Sequence, residues 1–258
     1  MAELLRGEGV VRRFGGLPAV DGLDFRVDAG EIVGLIGPNG AGKTTLVSLI
    51  SGALAPTAGV IRFRGEVVSG LPAHVVAARG IARTFQVMRP FPNMTVRQNV
   101  VVGALFGSHR PALSMAAALA QVDAVLDRVG LATKRDALGG QLSIAERKRL
   151  EVAKAVATNP SLLLLDEVMA GLNLAEVETV MRLIGDLRAA GITVLVIEHV
   201  MKAVMGISDR IIVLHHGRKL AEGTPAQIVA NPDVRREYLG ARYGERVANE
   251  PGAAGAPG

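Results

Sequence analysis

The 258-residue chain has no cysteine and no tryptophan, and aromatic residues make up only 3% of it. Without thiols there is no disulfide framework, no thiolate metal site and no cysteine nucleophile, a pattern that suits a reducing compartment. So few aromatics, none interleaved with a basic stripe, leave no stacking platform of the kind single-strand nucleic-acid binders need. Long apolar runs are missing too. The longest uncharged apolar-rich stretch, Pro111 to Ala120, is well short of the ~18 residues of a membrane span. The opening segment MAELLRGEGVVRRF carries charges throughout and offers no apolar core for an export signal. A self-anchored or exported chain is therefore not expected.

What is present is 49% hydrophobic residues, 31 glycines, and 29 Lys+Arg against 24 Asp+Glu, a net charge of +5. A chain of this length can bury roughly three quarters of its unfolded surface without staples. The surplus charge, carried mostly by arginine, suits nucleic acid, an anionic membrane surface, a phosphorylated ligand or composition bias alone. Motifs have to decide among these.

Leu23 to Val27 and Val60 to Arg64 alternate apolar and charged residues, which predicts half-buried antiparallel strands. Ile32 to Ile36, Leu162 to Leu165 and Thr193 to Ile197 are continuously apolar instead, as strands covered on both faces are. Val177, Val180, Met181, Ile184 and Leu187 predict a helix over Glu176 to Ala190, stopped by Gly191. Between Phe91 and Thr158 no strand signal is convincing; Leu119, Val122, Leu126 and Val129 share one helix face over Met115 to Val129, capped by Ser114. From Val247 onward little can be buried, so residues 247–258 are expected to form a flexible tail.

The apolar strand Ile32 to Ile36 runs into GPNGAGKTT, Gly37, Pro38, Asn39, Gly40, Ala41, Gly42, Lys43, Thr44 and Thr45. This satisfies G-x-x-x-x-G-K-[ST], which this composition would produce by chance about 0.006 times per chain. Leu46, Leu49 and Ile50 then make an amphipathic helix that closes near Gly52. A Gly-rich turn lets several backbone N–H groups converge on phosphate oxygens while the helix N-terminus adds its dipole. Lys43 would bring a point charge to the β/γ-phosphates and the Thr44 hydroxyl would ligate Mg²⁺.

Leu162 to Leu165 ends in Asp166 and Glu167, which suits metal and water beyond a strand's carboxyl end, with Asp166 holding Mg²⁺ and Glu167 orienting or deprotonating the attacking water. Without the loop, a simple helix-capping acid explains such a pair equally well. Thr193 to Ile197 ends in Glu198 and His199; a lone histidine after a strand is usually structural, but here a third strand end points at one edge, which makes His199 a candidate γ-phosphate contact. His215 and His216 lie in a turn and are expected in solvent.

Taken together these residues resemble the nucleotide-binding subunit of ABC transporters over Glu8 to about Gly240. The resemblance implies an α/β fold with a RecA-like P-loop NTPase core, an N-terminal antiparallel β subdomain and an inserted α-helical subdomain. One domain, 1–240, would divide into a core of about 1–90 and 159–222, an insert of about 91–158 and a C-terminal helical segment, 223–240. Phe14 looks like the aromatic on which adenine stacks. Gln86 in ARTFQ resembles the glutamine that meets metal and attacking water. Leu142, Ser143, Ile144, Ala145 and Glu146 occupy the family signature, 24 residues before Asp166. Gly171, Leu172 and Asn173 occupy the loop between the two sites, and His199 matches the switch histidine. The strings RRFGG, GIARTFQ, DEVMAGLN, IEHVMKAVMGISDRIIVL, GRKLAEGTP and NPDVRREYLG look most similar to the ATPase of branched-chain amino-acid importers.

Two departures stand out. Ile144, Ala145 and Glu146 replace two glycines and a glutamine, and Ser143 with Glu146 is also a capping box. Asn173 stands where many relatives have aspartate. The resemblance implies ATP and Mg²⁺ as cofactors and two ATPase domains closing head to tail as a homo- or heterodimer, and the bulk at Ile144 favours a heteromeric pair with unequal sites. It also implies two membrane permease subunits, indirectly a periplasmic solute-binding protein, and a peripheral position on the cytoplasmic face of the inner membrane. Arg83, Arg89 and Arg97 would meet those subunits or anionic lipid, or form a solvated face. An ATPase for lipid or lipopolysaccharide transport is the nearer alternative. A soluble ABC-type ATPase acting on nucleic acid is the other, though no nucleic-acid partner is expected.

Overall fold

A computed structural model describes residues 2–85, 90–108 and 113–239 of the chain. Among these residues ten strands form two sheets. β1 (Glu3–Phe14), β2 (Leu17–Asp28), β4 (Ala58–Phe63) and β5 (Glu66–Val67) make an antiparallel sheet in the order β2-β1-β4-β5. β3 (Ile32–Ile36), β6 (Ile81–Arg83), β7 (Leu162–Asp166), β8 (Thr193–Ile197), β9 (Arg210–His215) and β10 (Arg218–Gly223) make the second, in the order β10-β9-β3-β8-β7-β6. All neighbours in it are parallel except β10 with β9.

Every residue of β3, β7 and β8 is buried, and the reason is the period of two along a strand. Leu163, Leu165, Val194 and Val196 point into a core shared with helices, while Leu162, Leu164, Leu195 and Ile197 point into a second core shared with the antiparallel sheet. A strand with apolar neighbours on both faces has no position for a polar side chain, which is why these segments read as uninterrupted apolar runs.

The helices are α1 (Lys43–Ile50), α2 (Ala73–Ala78), α3 (Val96–Phe106), α4 (Met115–Arg128), α5 (Ile144–Val156), α6 (Leu174–Ala189), α7 (Met201–Ile207) and α8 (Pro225–Ala230). Ser114 caps α4 as expected, and Val177, Val180, Ile184 and Leu187 are the buried face of α6. That helix begins two residues earlier than its apolar period suggests, because the Asn173 side chain accepts the Glu176 N–H at 3.0 Å and Glu176 accepts the Asn173 N–H at 2.9 Å. Two strands at the far edge, β9 and β10, follow the last one anticipated. His215 is the final residue of β9 and is not in solvent: its ring is mostly covered and lies 3.8 Å from Glu237. His216 is exposed. The tail, 247–258, lies outside the described residues. Among those residues no helix is long and apolar enough to cross a membrane.

Asn99, fully buried on α3, ties this helical region to the chain entering it. Its Oδ1 accepts the Phe91 N–H at 2.8 Å, and its amide donates to the carbonyls of Phe91, Met94 and Thr95 at 3.1, 3.2 and 2.9 Å. Replacing it with leucine leaves the Phe91 N–H without its acceptor and removes one of two donors from each carbonyl, since Met94, Gly139 and Asn99 N–H groups also reach Phe91, Met94 and Thr95. Asn99→Leu is expected to destabilise the protein by about 1–3 kcal/mol, read as a lower urea midpoint.

Candidate active site

Ile197 of β8 pairs with Leu35 of β3 on one side and with Asp166 of β7 on the other. The three carboxyl ends are therefore level, and the residues that follow them, Gly37 onward, Glu167, and Glu198 with His199, meet at one edge. An open cleft of about 770 Å³ lies there, lined by Phe14, Ala19, Asn39 to Thr45, Glu167 and His199.

The loop at Gly37 has its backbone pressed against neighbouring carbonyls. A Cβ at Gly37 would stand 2.1 Å from Leu214 O, and one at Gly42 would stand 2.3 Å from Ala19 O, while both residues have positive φ. Only glycine fits either place. Gly42 then opens α1 with no side-chain cap, unlike Thr95, Ser114, Ser143, Asn173 and Thr224 at α3, α4, α5, α6 and α8. The first N–H groups of α1 thus face the cleft without an internal acceptor, which is the donor set an anionic phosphate satisfies.

Lys43 is buried, and its Nζ donates to the carbonyls of Gly37 and Pro38 at 2.7 and 3.0 Å. Burial lowers its pKa, while Glu167 and Asp166 oppose that shift by favouring the ammonium. The lysine is held at the loop's rim as a cation, and a phosphate oxygen there would exchange with the two carbonyls.

Asp166 is buried and accepts a hydrogen bond from Arg83 Nη2 at 2.9 Å; Arg83 Nη1 donates to Ser48 Oγ at 3.0 Å. Arg83 is therefore neither a membrane-facing nor a solvated arginine. It sits on β6 beside β7, where Arg83 pairs with Leu164, and it supplies the charge that an interior carboxylate requires. Arg97 is paired as well, with Asp123 at 2.6 Å. Gln86 and Arg89 lie outside the described residues.

Glu167 has φ of +54°, a left-handed conformation that costs a non-glycine residue about 1–2 kcal/mol. Its N–H donates to Ile197 O at 2.9 Å, its carbonyl accepts from Lys148 Nζ at 2.9 Å, and its Oε1 lies 2.9 Å from His199 Nε2. The backbone turn swings the carboxylate away from the strand line and into the cleft, next to the imidazole. Glu198, one residue before the histidine, is fully buried and accepts the Met169 N–H at 2.6 Å. Burial raises its pKa, opposed in part by that hydrogen bond and by Lys148.

Phe14 is half exposed at the cleft wall, with the Arg12 guanidinium 4.8 Å from its ring centroid. The other candidates sit elsewhere. Leu142 is buried, Ser143 and Glu146 form the capping box of α5, with N–H contacts at 3.2 and 2.8 Å, and Ile144 is 60% exposed. Ser143 holds Glu146 in its charged form below the usual carboxylate range. Ala145 is half-buried, Gly171 is exposed with φ of +74°, and Leu172 packs on the helical core. None of Leu142 to Glu146 or Gly171 to Asn173 lines the cleft around Lys43.

Among the described residues no three of His, Cys, Asp and Glu gather as a metal cage. Thr44 and Asp166 offer hard oxygen donors, which fits Mg²⁺ held partly by phosphate oxygens; such an ion would supply charge neutralisation to the phosphates. Arg83, Lys148 and Glu198 were not anticipated as parts of the site. Parallel pairing of β6 with β7 is the signal that would have exposed Arg83.

The family model described as ABC transporter matches residues 20–170, and one described as Branched-chain amino acid ATP-binding cassette transporter matches 218–244. The chain is 42% identical over 249 residues to the high-affinity branched-chain amino acid transport ATP-binding protein BraF of Pseudomonas aeruginosa, covering 92% of this chain and 98% of that protein. It is 44% identical over 251 residues, with the same coverages, to the protein LivG of Escherichia coli (strain K12), which carries the same description. An ATP-binding cassette of an ABC transporter solved in its ADP conformation superposes with a TM-score of 0.83 at 30% identity, covering 93% of this chain and 100% of that one. The chain belongs to the ABC transporter family, as one of its ATP-hydrolysing cassettes.

Proposed function

We propose that this cassette hydrolyses MgATP to drive import of branched-chain or chemically related amino acids through separate membrane subunits. Convergence of Lys43, Glu167 and His199 on one cleft carries the hydrolytic part. The solute class is supported by the printed descriptions of the relatives and by the family model over residues 218–244.

In this reading Phe14 stacks on adenine, residues 37–45 and Lys43 bind the phosphates, and Thr44, Gln86 and Asp166 hold Mg²⁺. Glu167 takes the proton of the attacking water while His199, within hydrogen-bond distance of it, positions the γ-phosphate. Leu142 to Glu146 complete the phosphate site of a second cassette, since they lie away from this chain's own cleft, and Gly171 to Asn173 lie between the two sites. The chain divides into a core of about 1–90 and 159–222, a helical insert of about 91–158 that carries motion to two permease subunits, and a C-terminal segment, 223–240. A periplasmic protein delivers the solute, and the cassette sits peripherally on the cytoplasmic face. Closure around two ATP molecules and release after hydrolysis is a ligand-driven shift between two arrangements.

The bulk of Ile144, exposed at the first turn of α5, favours a heteromeric pair with unequal sites. The chain alone is expected to hydrolyse ATP at least about tenfold more slowly than with its partner ATPase; full activity as a homodimer overturns the unequal pair.

Glu167→Gln should bind nucleotide as the parent does and lose about 100-fold or more of its turnover. Lys43→Ala should instead weaken nucleotide binding by about 10- to 100-fold, the loss of a charge-assisted contact. Equilibrium binding of a fluorescent nucleotide and steady-state phosphate release separate the two. In proteoliposomes holding the assembled transporter, ATP-dependent uptake of labelled leucine should vanish with Glu167→Gln; no leucine, isoleucine or valine uptake by the parent assembly refutes the solute assignment.

A further inference from the structure

Two charged groups beside the cleft have no part in the chemistry just described. Lys148, in the second turn of α5, reaches across to donate from Nζ to the Glu167 carbonyl at 2.9 Å. Glu198 is fully buried after β8; one of its oxygens accepts the Met169 N–H at 2.6 Å and the other, Oε2, has no hydrogen-bond partner. Both Glu198 and Glu167 favour the Lys148 ammonium against burial.

These contacts grip the backbone on either side of one strained position. Glu167 holds a left-handed backbone that a side chain resists, so the conformation persists only if its surroundings impose it. Its N–H is fixed by Ile197, its carbonyl by Lys148, and the N–H two residues on by Glu198. If the carbonyl were released, relaxation of φ would swing the carboxylate away from His199.

We propose that Lys148 is a positioning residue for ATP hydrolysis: from α5 it clamps the Glu167 carbonyl and, with Glu198 bracing the following turn, keeps the Glu167 carboxylate aimed into the cleft beside His199. The proposal rests on the assignment of Glu167 as the base and deepens it. It also gives α5 two ends with separate tasks. Ser143 opens the helix at the surface and Lys148 sits five residues on, about 7.5 Å along the axis, so a rigid shift of α5 displaces the clamp with it.

The alternative is that Lys148 only neutralises buried Glu198. Three variants of the full chain, assayed with its partner ATPase, separate these roles: Lys148→Met, Lys148→Arg, and the double variant Lys148→Met/Glu198→Gln, in which neither buried charge remains and the glutamine still accepts the Met169 N–H. Both Met-containing variants should lose about 10- to 100-fold in kcat, with KM for ATP and nucleotide affinity within about twofold of the parent. Lys148→Arg, which can still donate to the carbonyl, should recover most of the rate. Return of the double variant to parent kcat, or parent kcat in Lys148→Met, overturns the clamp. Glu167→Gln run in parallel keeps the two levels apart. If it stalls turnover while Lys148→Met does not, only the clamp fails; if it turns over at the parent rate, the base assignment itself fails.

Discussion

One register holds the site together: Ile197 paired between Leu35 and Asp166. A slip of one residue would exchange the faces of every side chain along β7 or β8, sending Asp166 where Glu167 now stands. In a strand exposed on one face, polarity would forbid the slip. Here both faces are apolar, because alternate residues enter two different cores, so polarity specifies the register only weakly. The strand ends do the pinning. Thr84 Oγ1 accepts the Asp166 N–H at 3.0 Å, Ile197 O accepts the Glu167 N–H at 2.9 Å, and Arg83 pairs with Asp166 at 2.9 Å. Catalytic placement and strand pairing are thus fixed by the same few polar contacts.

Those contacts also settle the electrostatics of a crowded edge. Asp166, Glu167 and Glu198 bring three carboxylates to neighbouring strand ends, and an unpaired interior charge is expensive. Asp166 is paired with Arg83, Glu167 is hydrogen-bonded to His199, and Glu198 accepts the Met169 N–H while the Lys148 charge acts on it from a distance. Lys43 likewise has carbonyl acceptors of its own. Ligand binding at such a site is an exchange of partners more than the creation of new ones, so its free energy is a difference between two satisfied arrangements. That is a condition under which a modest change in contacts can move the chain between states.

Features written locally were legible in the sequence. Gly37 and Gly42 are demanded by a loop whose backbone touches Leu214 and Ala19, and the motif around them says so without any fold. The Ser143–Glu146 box, the Ser114 cap and the buried face of α6 follow from spacing alone. The start of α6 lies two residues before its apolar period because the Asn173 side chain caps the helix, a signal that the apolar spacing does not carry. Ile211 to Leu214 is as apolar as β8 and forms β9, whose final residue is the mostly covered His215.

Arg83 and Lys148 were illegible for a different reason. Lys148 lies among other basic residues in ERKRL, and Arg83 follows Arg79 by four residues in RGIARTF, settings where an arginine or lysine most often faces water. Nothing within a few residues distinguishes them; their partners stand 83 and 19 residues away in sequence. Chain topology alone selects which cation of each cluster turns inward. Arg83 does so because β6 pairs with β7, and Lys148 because α5 runs beside the loop after β7. A motif can name the groups that touch a substrate, since those chemistries are confined to a few residue types. Groups that hold them in place are chosen by the fold, and any long side chain of the right charge at the right register can serve.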